Sequence, residues 1–153
     1  MKIAMISYNA FVQNENNGWK KNGSNEVLLL QNADGKAWGT TQKGGNQELW
    51  DKETKAIVDP LWEQLKSVLK TIDKVVMYVG SYGAERIINL AAENGLTPDR
   101  AIFVFCSCNQ AAKSQAIRQG GFAQSQIIDC ECGGHGTMRW IYDRALSKGE
   151  LPG

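Results

Sequence analysis

The stretch KVVMYVGSYGAERIINLAAENGLTPDRAIFVF, residues 74–105, decides the fold. Lys74 to Val79 and Ala101 to Phe105 are short apolar runs, without the polar alternation of a sheet that has one wet face. Residues 83–94 between them read as a helix closed by Asn94-Gly95, with Gly95 expected in the left-handed conformation just past its end. A strand, a helix and a second strand joined in this way form a unit whose strands lie parallel and whose sheet is covered on both faces.

The rhythm continues towards the end of the sequence. Residues 109–119 read as a short helix ended by Gly120-Gly121, and Gln126 to Ile128 begin a third strand. Residues 136–147 form a last helix, with Met138, Ile141, Tyr142, Ala145 and Leu146 on its inner face. Upstream, from Leu49 to Ile72, Val58, Leu61, Trp62, Leu65, Val68, Leu69 and Ile72 fall on one helical face. Pro60 interrupts this pattern. Asp59-Pro60 suits a cap followed by the first residue of a new helix, so two consecutive helices and one kinked helix both fit.

Residues 3–8 read as a buried strand ending in Ser7-Tyr8-Asn9. Gln13 to Asn25 read as a polar loop with turns at Asn17-Gly18 and Asn22-Gly23. Trp19 within it is expected to plug the core, the alternative being a surface on which a ligand stacks. Val27 to Leu30, the turn Asn32-Ala33-Asp34-Gly35, and Lys36 to Thr41 read as an antiparallel hairpin.

The fold class that follows is α/β, a three-layer sandwich of Rossmann-like or flavodoxin-like type over residues 1–153. Its sheet is mixed and mostly parallel, of about six strands, with the N-terminal hairpin at or near an edge. A chain of 153 residues can bury a core without disulfides or a metal. Seventeen basic and 16 acidic residues give a net charge of +1, which provides no field for gathering nucleic acid or an anionic membrane. No apolar run approaches the roughly 20 residues that span a bilayer, and no signal peptide is recognisable. The four cysteines fall as two close pairs late in the chain, unlike a secreted disulfide framework, so a cytoplasmic location is expected. Oligomeric state is not legible.

Open parallel sheets bind ligands beyond the carboxyl ends of their strands. Three such ends can be read: Gly80-Ser81-Tyr82-Gly83, then Cys106-Ser107-Cys108-Asn109, then Cys130-Glu131-Cys132-Gly133-Gly134-His135. All four cysteines and the single histidine are therefore expected at one edge. Zinc takes thiolate and imidazole ligands in a tetrahedron, so Cys106, Cys108, Cys130, Cys132 and His135 are the candidate metal ligands. Against this, same-face neighbours on a strand stand about 6.5–7 Å apart, so both Cys-x-Cys loops would have to curl. Cysteine as a small core hydrophobe is the structural alternative, and thiolate chemistry a third.

Gly80, Ser81, Tyr82, Gly83, Asn109, Gly133 and Gly134 are the candidate ligand-binding residues. A glycine-rich turn entering a helix can present free amides to an anion. The turn matches neither G-x-G-x-x-G nor a P-loop, and a plain strand-to-helix turn capped by Ser81 is the simpler reading. Glu85 and Arg86 become ligand contacts only if that turn is a site. Six residues separate Cys132 from Arg139, one more than the phosphatase loop has, and a Cys132/His135 dyad lacks an identifiable orienting group.

Val27-Leu28-Leu29-Leu30-Gln31, Lys36-Ala37-Trp38-Gly39 and Gly44-Gly45 together are similar to the opening hairpin of Nudix hydrolases. The resemblance covers about twenty residues. That family continues with a helix bearing Arg-Glu and paired glutamates that bind magnesium, whereas Asn46-Gln47-Glu48-Leu49-Trp50-Asp51 follows here, so the activity is not carried over. Two classes of function remain. One is a protein that binds a small ligand or a zinc ion at its strand ends, with an enzyme possible within that reading. The other is a non-catalytic interaction module that meets its partner around Trp19.

Overall fold

The run Ile3 to Ile6 has no polar residue because it lies in the middle of the sheet. The computed structural model describes residues 1–8, 16–32, 47–79, 84–105, 115, 117–123, 126–129 and 142–143. Strand β1 (Lys2–Ser7) pairs in parallel with β3 (Asn25–Gln31) on one side and with β4 (Lys74–Tyr78) on the other. Strands β5 (Ala101–Phe105) and β6 (Gln126–Asp129) extend the sheet, also in parallel. A strand in the polar segment, β2 (Gly18–Asn22), pairs antiparallel with β3, giving the order β2-β3-β1-β4-β5-β6. The protein is thus α/β, with a mixed sheet of one antiparallel pair and parallel strands.

Helix α1 (Gln47–Lys66) connects β3 to β4 and packs over β1 and β3, while α2 (Ala84–Glu93) connects β4 to β5. Both press onto one face of the sheet. Val58, Leu61, Trp62 and Leu65 of α1 join Ile87, Ile88 and Ala91 of α2 over Ala4, Ile6, Leu28, Leu30, Val75, Met77 and Phe103. Each fully buried aliphatic side chain contributes roughly 1.5–3 kcal/mol. Ile3, Met5, Leu29, Val76 and Val104 alternate onto the other face and are equally buried. There the amide of Asn25 donates to the hydroxyl of Tyr142 at 2.7 Å, tying helical residue Tyr142 to the start of β3.

Pro60 lies within α1, which runs as one helix through it. Its ring is on the exposed side, where water can take up the carbonyl that proline's missing N–H leaves free. Asp59 is accordingly not a helix cap; its carboxylate turns to α2 instead. At the end of α2 the Leu96 amide donates to the Ala91 carbonyl and the Gly95 amide to that of Ala92, closing the helix around Gly95 at φ +75°.

Further on, residues 115 and 117 are helical, and the wide turn Arg118–Phe122 follows, with Gly121 at φ +99°. A Cβ on neighbouring Gly120 would stand 2.6 Å from a methyl of Ile88, so glycine there lets the turn lie directly on α2. Phe122 packs edge-on against Phe103, their ring centroids 5.2 Å apart.

Two expectations need correction. Gln13 to Asn25 is not a loop throughout: Gly18–Asn22 forms β2, whose polar sequence suits a sheet margin where Trp19, Lys21 and Asn22 are exposed. Asn22-Gly23 makes the tight turn of the hairpin, with Gly23 at φ +60° between the paired Asn22 and Asn25. The antiparallel partner of β3 is therefore the strand before it; Lys36 to Thr41, the expected partner, lies outside the described residues. Trp19 is the second correction. It is 46% exposed, with the Lys2 ammonium 5.8 Å from its ring centroid, so it does not plug the core. Strand alternation sets it beside Leu28 on the α1 face, at the margin of the described sheet.

Among the described residues no helix is long and apolar enough to cross a membrane.

Candidate ligand site at the carboxyl ends of the strands

The two ends of the sheet are finished differently. At the amino ends, backbone and side-chain groups close on each other. The Lys2 amide donates to the Asp73 carboxylate and the Asp73 amide to the Lys2 carbonyl, both at 2.8 Å. The Arg100 guanidinium donates to the carbonyls of Leu69 and Ile72, and the Lys74 ammonium to that of Asp99. A hydrogen bond with the Thr97 side chain holds the Asp99 carboxyl below its ordinary pKa. These contacts fix the strand starts.

The direction in which strands are added to the sheet reverses between β1 and β4. From β1 the chain proceeds to the β3 side; from β4 it proceeds the other way, to β5. Open α/β sheets bind ligands at such a point of reversal. At this point the carboxyl ends of the strands form a floor of Ser7 and Tyr8 from β1 and Tyr78 and Val79 from β4, all buried. Ser7 stands opposite Gln31 of β3, also buried, and the two share the face away from α1. Polar side chains thus enter the strands where apolar ones end. Ser7, Tyr8, Gln31 and Tyr78 are all engaged in further polar or ring contacts, so this floor is a bonded layer.

Asn17 sets the outer wall of this end. Its side-chain amide donates to the Gln31 carbonyl at 2.8 Å, and its side-chain oxygen accepts from the Gln31 amide at 3.0 Å. One side chain here imitates the next residue of β2 and carries the ladder to the end of β3. Asn17→Ala is expected to cost about 1–2 kcal/mol and to speed amide exchange at Gln31, measured by urea denaturation and hydrogen exchange.

β4, β5 and β6 are consecutive neighbours, with Tyr78 opposite Val104 and Phe105 opposite Asp129. The Val79 amide continues the ladder to the Val104 carbonyl at 2.8 Å. Directly after these strands the chain enters Gly80, Cys106 and Cys130. The expected ligand residues Gly80, Ser81, Tyr82, Gly83, Asn109, Gly133 and Gly134 lie outside the described residues. So do the expected metal ligands Cys106, Cys108, Cys130, Cys132 and His135. Among the described residues no three His, Cys, Asp or Glu side chains gather in a way that could hold a metal.

Arg86 has a structural partner. Its guanidinium donates to both carboxylate oxygens of Asp59, at 2.8 and 2.9 Å, clamping α2 to α1. That hydrogen bond raises the Arg86 pKa above an already high value. Glu85 beside it is exposed.

Sequence reasoning missed three polar features. Asn17 stood in a segment read as loop, and Gln31 at the end of a strand read only as apolar. The third is Glu53 on α1, one of whose carboxylate oxygens is buried without a hydrogen-bond partner among the described residues. Their spacing carries no motif; only knowledge of which strand neighbours which could have drawn attention to Gln31.

No known family, curated protein or solved structure matches this chain.

Proposed function

We propose that this chain binds a small-molecule ligand in a crevice between the carboxyl ends of β1 and β4. The observation that carries the reading is the reversal of strand order at that point. With the antiparallel β2 set aside, the parallel strands follow the order second-first-third-fourth-fifth, which favours a flavodoxin-like, three-layer arrangement. The segment Gly80-Ser81-Tyr82-Gly83, which follows β4 in the sequence, would supply amides and hydroxyls to the ligand. Nuclear magnetic resonance titration with a panel of phosphate-bearing and neutral small molecules tests this. Binding is expected to shift the amides of Ser7, Tyr8, Tyr78 and Val79 while leaving Lys2, Asp73 and Asp99 in place. Binders that move only Trp19 and Lys21 would overturn it.

Along the same edge, beyond β5 and β6, a zinc ion held by Cys106, Cys108, Cys130, Cys132 or His135 is a further proposed occupant. The adjacency of β5 and β6 supports it, because both Cys-x-Cys segments leave paired strands. Elemental mass spectrometry of reduced, gel-filtered protein is expected to find about one zinc per chain, lost in Cys130→Ser/Cys132→Ser. A metal-free protein whose four thiols react only on unfolding would make the cysteines packing residues.

The exposure of Trp19 favours a second reading, a non-catalytic interaction module that meets a partner along β2. The titration above separates the two, since they place binding at different parts of the sheet. A cytoplasmic setting suits both and rests on the spacing of the cysteines.

A further inference from the structure

We draw no further inference here: the strongest candidate, the buried and unpaired carboxylate oxygen of Glu53 on helix α1, stands alone, with no second group among the described residues to say what ligand it would meet.

Discussion

Trp62→Ala is expected to lower the free energy of unfolding by about 3–5 kcal/mol, the cost of emptying a large aromatic site that cannot fully collapse. Trp62 is 2% exposed and sits in the cluster that joins α1 to the sheet. Its buried indole N–H has no hydrogen-bond partner among the described residues. That separates two contributions. The ring stabilises by filling volume; the N–H costs, because it gives up water for nothing. Trp62→Phe removes the unpaired donor while keeping most of the ring, so a loss of only about 1–2 kcal/mol is expected. Urea denaturation of the two variants measures both. A phenylalanine variant as unstable as the alanine one would show that the N–H contributes to stability and that volume is not the main term.

Pro60→Ala should act in the opposite direction, stabilising the protein by about 1–3 kcal/mol. A proline inside a helix forfeits one backbone hydrogen bond and crowds the preceding turn, a penalty of about 3 kcal/mol relative to alanine. Here the residue is exposed and packs into nothing that the substitution would empty. Because the freed carbonyl is on the exposed side, where water can bind it, the expected gain is smaller than the full figure. Thermal and urea denaturation would read it. Destabilisation instead would mean that Pro60 helps hold Asp59 on Arg86, and adding Asp59→Asn to Pro60→Ala would then cost less than Asp59→Asn alone.

The central strands were legible in the sequence for one physical reason. β1, β4 and β5 are buried on both faces, so nearly every residue in them is apolar and the run announces itself. Val58, Leu61, Trp62 and Leu65 were legible because helical spacing survives a proline on the opposite side. The Gly95 closure could be read because few residues other than glycine accept φ +75°. β2 was not legible. Strands at a sheet margin need no apolar face, and GWKKN has the composition of a loop. Nor could local signals choose between Asn22-Gly23 and Asp34-Gly35 as the turn that gives β3 its antiparallel partner, since both dipeptides favour the same turns.

For the candidate site, sequence indicated the edge but not its floor. Which residues lie beneath the proposed crevice depends on β3 and β4 flanking β1, and that is decided by pairing across long stretches of chain. Ser7 and Gln31 face each other only through that pairing. Asn17 acquires its role only by reaching Gln31, 14 residues away. Arg86 shows the reverse case: a residue next to a suggestive turn that Asp59, on another helix, has claimed for structure.

The central position of β1 also bears on how the chain reaches this state. Its partners on the two sides come from β3 and from β4, and the Lys2–Asp73 contact joins residues 71 positions apart. Closing such a loop loses entropy before any pairing is gained, so β1 cannot complete its ladders until most of the sheet-forming chain is available. Until then a strand with no polar residue from Ile3 to Ile6 has both edges open, the state in which a chain most readily pairs with a neighbour. The same strand that makes the finished core the hardest part to open is therefore the one most exposed to misassembly on the way there.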